Sequence, residues 1–423
     1  MQIGLGLSIT SQLRFGTALY AVNSFDPDFV LDFKNSYYRK GGTDSTLSGS
    51  VTHARASSAT MTNSSGILVT VGNNVARTGH HVYNGSAWVN EGILHESEAR
   101  TNLLPISTTL HQWSKLNVNT SSSTVTSPSG NQDAVLVKPT AGTHSFTFLW
   151  YTAQYNTGVI TSISVFAKAS GKDFMTMLNS SGSTNYASFN LSTGAVSNVT
   201  AGYTANMEDF GNGWYRCSVV TPTGFNERAI FAVADANNSA TSTANGEDGI
   251  LLYSPQLEAG ATPSSYIPTS GSAVTRAAET LTVPAANLPY SSTNMSIQMS
   301  GKMTGNNLTH IRWFEDADDA ILFETGTNNF TFTQEAGGTV DTVTGGSFTS
   351  GNLLAFNTAS RHGSGFINGA ISGTALTANT TPSALPDLAD NNLVLGYDFM
   401  GTIAQFRMWD EDLTDTGIEE AST

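Results

Sequence analysis

Cysteine is almost absent from this chain. The single one, Cys217, excludes an intrachain disulfide framework and any multi-cysteine metal site. Charge is sparse too: 12% of the 423 residues are charged, about half the usual share. The balance is acidic, at −15, and an acidic surface repels phosphates, which disfavours nucleic acid and anionic membranes as partners. No apolar run approaches a membrane span. The opening residues, MQIGLGLSITSQLR, lack the basic start and continuous apolar stretch of a secretory leader. HExxH, CxxC, GxSxG and phosphate-loop patterns are all missing. So is any repeat of fixed period, which argues against a β-helix or propeller. The only adjacent histidines, His80 and His81, would point to opposite faces of a strand.

What fills the chain is Ser, Thr, Asn and 40 Gly, with 21 Phe, 13 Tyr and 6 Trp. The first group favours strands and turns over helices, and the aromatics supply material for packed cores. The composition therefore describes a folded, β-rich and loop-rich protein. Asn-x-Ser/Thr triplets at Asn84, Asn190, Asn307 and Asn379 are what chance gives in such a composition.

The stretch Leu251–Glu279 organises the rest. Gln256–Gly260 reads as a strand end entering a turn, Pro263 and Pro268 hold the next segment extended and out of any central strand, and Ser270-Gly271-Ser272 punctuates it. A main domain boundary is expected here. Before it, strands are expected at 25–33, in hairpins over 52–68 and around Asn84-Gly85, and at 134–137, 145–150, 160–168, 187–191, 214–220, 229–233 and 249–253. This spacing suits a β-sandwich. Beyond it, strands are expected at 295–303, 311–314, 320–324, 330–333, 392–396 and 401–409, with Ser364–Gly369 a strand entering an Asn-Gly turn. Only Thr414–Ala421 suggests a short helix, capped by Thr414 or Asp415.

Glu96 and Glu98 lie two apart, on one face of a strand. Glycoside hydrolysis needs two carboxylates across a cleft, and Arg100 shares their face, so a structural ion pair outweighs an active site. Cys217, between Arg216 and Ser218, reads as buried rather than reactive. Tryptophans near turns, Trp88, Trp113 and Trp150, are candidates for stacking on sugar rings, whereas Trp214, Tyr215 and Trp409 read as core.

Several segments together resemble modules common in tail fibres and other structural proteins of tailed bacteriophages. They are HARASSAT (53–60), GILHESEARTNLL (92–104), SVFAKAS (164–170), FNLSTGAV (189–196), EDFGNGWYRCSV (208–219) and LEAGATPSSYIPTSGSAVTRAAE (257–279). These are similar to a carbohydrate-binding-type β-sandwich. GFINGAISG (365–373) and NNLVLGYDFMGTIAQFRMWDEDLTD (391–415) resemble concanavalin A-like, laminin-G-like sandwiches. The resemblance implies an all-β chain of tandem antiparallel β-sandwiches, jelly-roll-like and then concanavalin A-like. The expected order is an N-terminal virion-anchoring segment at 1–25, a β-rich lead at 26–105, the first sandwich at 106–272 and the second at 287–423.

It also implies a virion protein, assembled in the host cytoplasm and released by lysis, which fits an adhesin-like composition without leader or disulfides. Its expected partners are other virion proteins through the N-terminal segment and host-surface glycans, with repeated copies supplying avidity and trimers usual for such fibres. The function implied is binding, in a tail fibre or receptor-binding protein. A capsid decoration or head-fibre protein and a polysaccharide-degrading enzyme are the alternatives. Such sandwiches often hold calcium on rim loops, which makes Asp316, Asp318 and Asp319, with Glu315, the candidate metal ligands. Asp410, Glu411, Asp412 and Asp415 read instead as a solvated turn before the terminal helix.

Overall fold

The computed structural model describes residues 20–152, 158–179, 184–221, 228–236, 241–304, 308–349 and 354–423. Most of the expected anchor at 1–25, and Asn307, lie outside the described residues. The chain forms two antiparallel β-sandwiches, and they are nested in sequence. One compact unit runs from Ala54 to Glu279, and the other joins the residues up to His53 with Thr280–Thr423.

The expected lead region at 26–105 is thereby divided. Phe29–Asp32 pairs antiparallel with Met400–Trp409, placing Leu31 opposite Phe406. Phe29, Val30, Leu31 and Phe33 are all buried, so this short run is an interior strand of the terminal sandwich. Asp32 is accommodated there because it accepts hydrogen bonds from Tyr20 Oη at 2.8 Å and from the Asn35 side chain.

In the inserted sandwich, one sheet runs in the order Ser114–Leu116, Phe148–Thr152, Arg228–Ala234, Phe174–Asn179, Thr184–Asn190, Ala195–Ser197. The other runs Val118–Ser122, Val135–Pro139, Gly249–Ala259, Thr161–Ser170, Tyr215–Thr221, Thr204–Asp209. Alternation sends Leu149, Phe231, Met175, Met177 and Phe189 from the first, and Val137, Ile163, Val165, Cys217, Val219 and Leu252 from the second, into one core. Pro255 is tolerated inside a long strand because the ladder slips a register between Ser164 and Phe166 while Ser254 takes a positive φ of 52°. Residues 54–105 add two hairpins. Ala59–Thr62 pairs Leu68–Val71, and Arg77–Tyr83 pairs Trp88–Glu96 around the turn that Asn84 Oδ1 organises by accepting from Ser86 and Ala87 N–H.

In the terminal sandwich, one sheet is ordered Thr43–Asp44, Tyr37–Lys40, Phe29–Asp32, Met400–Trp409, Asn294–Met303, Leu354–Gly363, Phe366–Ile371, Thr374–Ala375. The other runs Thr339–Gly345, Phe330–Ala336, Ala320–Thr325, Thr309–Phe314, Leu393–Asp398, Thr280–Val283, ending at Thr52–Ala54. His310 lies between the sheets, its ring 4.6 Å from Phe323, 4.9 Å from Phe356 and 5.3 Å from Phe399.

Two local expectations are corrected. Asn368-Gly369 is not a turn but mid-strand, pairing with Arg361 and Ser360. A Cβ at 369 would lie 2.1 Å from the Phe332 ring, so glycine is there for close packing. The helix Thr414–Ala421 has Leu413 at its N-cap with no side-chain cap. Asp412 Oδ1 accepts from Thr414 N–H at 2.8 Å, while Asp412 and Asp415 clasp Arg361.

Candidate ligand-binding face

The paired carboxylates separate on folding. Glu98 is exposed and meets Arg100, whereas Glu96 is buried in a network with Arg77 at 2.8 Å and Arg276 at 3.2 Å. Arg77 also holds Glu279 at 2.6 Å, and Glu279 holds Arg55. Ser265 donates from both N–H and Oγ to Glu96. Burial alone would raise the Glu96 carboxyl, but Arg77 and then Arg276 outweigh it and hold it at about 2. A carboxylate so saturated can neither donate a proton nor attack a substrate. The quoted segments HARASSAT, GILHESEARTNLL and TRAAE thus meet as scaffold. Arg77, which the sequence reading passed over, is their hub. Cys217 is buried, and burial pushes its thiol up, leaving it inert.

The three candidate tryptophans have different surroundings. Trp113 is core: it is 2% exposed, its Nε1 donates to Ile106 O at 2.8 Å, and its ring packs on Tyr151 and Phe231. The 3-10 turn Leu110–Gln112 immediately before it turns it inward. Trp88 is half-buried, its ring 5.0 Å from Phe210 and 5.4 Å from Tyr83. A Cβ on Gly66 would lie 2.2 Å from its Cε2. Its faces are therefore occupied, and it helps cover the outer face of a sheet beside Phe166, Trp214 and Leu251.

Trp150 is the one placed to meet a ligand. Leu149 and Tyr151 point into the core, so period two sends Phe148, Trp150 and Thr152 to the outer face of their sheet. The register sets Trp150 between Ser114 and Ile230, and the next rung runs Leu116, Phe148, Ala232, Thr176, Ser188, Ser197. Ile230, Ala232 and Leu178 are buried, while Ser114, Leu116 and Thr152 at the sheet edge are exposed and Trp150 is half-buried. The Arg228 guanidinium lies 5.8 Å from the Trp150 ring centroid and makes no hydrogen bond or ion pair to another described residue. The arrangement is an aromatic ring fixed edge-on by Phe148 at 5.4 Å, with a cation over it and the exposed hydroxyls of Ser114 and Thr152 nearby; Thr176 and Ser188 further along are buried and bonded to each other. That set can stack on an apolar ring face and donate to hydroxyl or carboxylate oxygens. Arg228 opens the strand Arg228–Ala234, whose other residues are all apolar and buried, so no alternation of polarity marks it in the sequence.

The expected metal residues do not converge. Asp316 Oδ1 accepts from Asp318 N–H at 2.8 Å and Asp319 Oδ1 from Gly337 N–H at 3.2 Å, so Asp316 and Asp319 brace the loop rather than face Asp318 across a cavity. Among the described residues, the group of three acidic side chains whose oxygens come within 4.8 Å of one another is Asp28, Asp410 and Glu411. Burial raises both Asp28 and Glu411, and neighbouring carboxylates add to it.

No family model and no curated protein sequence matches the chain. Among solved structures it is similar to domain 4 of AbnA, a GH43 extracellular arabinanase from Geobacillus stearothermophilus in complex with arabinotriose. That match has 14% identity, covers 38% of this chain and 82% of that one, and gives a TM-score of 0.28. Mouse laminin alpha1 domains LG4-5 follow at 11% identity, 65% and 91% coverage and a TM-score of 0.23. The tandem CBM22 domains of Paenibacillus barcinonensis Xyn10C match at 9% identity, 74% and 98% coverage and a TM-score of 0.23. At such TM-scores these likenesses carry no functional weight, and the face is read from its own residues.

Proposed function

We propose that this chain is a glycan-binding structural protein of a tailed-bacteriophage particle, placed on the tail fibre or tail tip, and that it binds sugars without cleaving them. The observation that carries the binding reading is Trp150 on the outer sheet face with the Arg228 guanidinium 5.8 Å from its ring. Support for the virion setting comes from the ordered segments resembling phage fibre modules. Binding rather than catalysis is supported by the saturation of Glu96, the carboxylate that a hydrolytic reading would use. Each face contributes a weak contact, and copies arrayed on a particle multiply it.

A glycan array probed with the full chain tests the binding. Replacing Trp150 by Ala is expected to lower affinity for the captured glycan at least about tenfold, the equivalent of 1.4 kcal/mol, without loss of the folded state. Unchanged capture by Trp150→Ala would overturn the site, and cleavage of the glycan by the intact chain would overturn the non-catalytic reading. Imaging of the particle at subunit resolution tests the setting: density on the capsid would replace the tail assignment by a shell-dressing one.

A further inference from the structure

Arg312 and Phe314, both half-buried, and the exposed Tyr397 form a second aromatic-cation construction, in the terminal sandwich. Trp313 points into the core, so Arg312 and Phe314 flank it on the outer face. Along the neighbouring strand Leu393 and Leu395 are buried, and strict alternation would bury Tyr397 as well. It is instead 49% exposed. Gly396 at φ +64°, together with a register shift opposite Thr309–Ile311, re-aims it. The Arg312 guanidinium carbon then lies 4.0 Å from the Phe314 ring centroid and 4.3 Å from that of Tyr397. Two rings thus hold one half-buried cation.

The same unit shows what such a cation ordinarily does. Arg361 stacks on Phe366 at 3.9 Å, and its Nε and one terminal nitrogen donate side by side to the two oxygens of Asp412 at 2.7 and 2.6 Å. Arg39 meets Asp26, and Arg407 donates to two backbone carbonyls. Arg312 alone among the described arginines of this unit has rings but no hydrogen-bonding partner. Its five donors are preorganised for a planar two-oxygen anion.

We propose that Arg312 is the anchor of a second binding site, selective for a sugar carrying a single carboxylate, with Tyr397 as the ring on which the sugar rests. Glu315, Asp316 and Asp318 are exposed next to Phe314 and repel densely charged polymers, so a monocarboxylate sugar fits better than a polysulfated chain. The site does not depend on the Trp150 reading.

The test is titration of the full chain with methyl glucuronide, methyl glucoside and heparin, followed by ligand-observed NMR. The glucuronide is expected to bind at least about tenfold tighter than the glucoside, as one charge-assisted bidentate contact supplies. Arg312→Ala should abolish that difference, Arg312→Lys should lose most of it because a point charge lacks the fork, and Tyr397→Ala should weaken both sugars. Thermal melts of each variant separate lost binding from lost folding. Trp150→Ala should leave the glucuronide unaffected. The proposal falls if the two methyl glycosides bind alike, if neither binds, if Arg312→Ala retains the preference, if heparin outcompetes the glucuronide, or if Trp150→Ala removes it.

Discussion

The Arg77 network of the inserted sandwich and the two buried histidines of the terminal one show opposite ways of burying an ionisable group. The inserted one encloses Arg55, Arg77, Arg276, Glu96 and Glu279, each matched to an opposite charge. Its one buried histidine among the described residues, His95, adjoins Glu96 in the same strand. The terminal sandwich encloses His310 and His362 with only a hydroxyl each, Thr325 Oγ1 and Ser360 Oγ. Burial drives both down to about 3. Burial penalises charge in both units; a partner of opposite sign decides whether the charge survives. The first unit keeps its ions and gains a fixed geometry, and the second keeps its histidines neutral and gains sensitivity to acid.

The largest expected effect tests whether the network holds the inserted sandwich. Arg77→Met leaves Glu96 and Glu279 buried with fewer cations, and should cost about 3–5 kcal/mol. The readout is faster hydrogen exchange in Thr161–Ser170 and Gly249–Ala259; an unchanged rate would dissolve the contrast.

Acid sharpens the comparison next. Glu96 is held below its unfolded value, so its contribution is present above about pH 4.5 and is lost as pH falls towards 2, about 3 kcal/mol in all. The histidines are also lowered, so here too the unfolded chain takes up protons first, but at a higher pH. Their contribution is present above about pH 6.5 and declines below it, by about 2 kcal/mol for each histidine at pH 5. Exchange in Asn294–Met303 and Leu354–Gly363, taken relative to the intrinsic amide rate at each pH, should therefore accelerate between pH 6.5 and 5. His310→Phe, which keeps a ring in the aromatic box, should remove about half of that acceleration; an undiminished slope would exonerate His310. The smallest effect is expected at the more exposed pair Lys172–Asp235, where Asp235→Asn should shift stability by less than about 1 kcal/mol.

Much of the architecture was legible because it rests on period two and on turn residues. The Asn84-Gly85 hairpin and the strands of the first sandwich follow from local pattern alone. Nesting was not legible: FVLDF reads as a strand, but nothing nearby in sequence says that its partner is some 370 residues away at Met400–Trp409. Asn368-Gly369 misled for a related reason, since a glycine demanded by the Phe332 ring looks like one demanded by a turn. At the candidate faces, alternation could place Trp150 outward. Trp113 required knowledge of the turn before it, and Tyr397 required the slip at Gly396.

The ion network has a further consequence. Arg55 and Glu279, the second and last residues of the inserted unit, are bonded to each other, so more than 200 residues of chain leave and return through one doorway. A segment whose ends are already joined can be lifted out and replaced by another of the same footprint without rethreading the carrier. A closed segment of this kind can be grafted as one piece at a single junction, as one changes the bit in a drill.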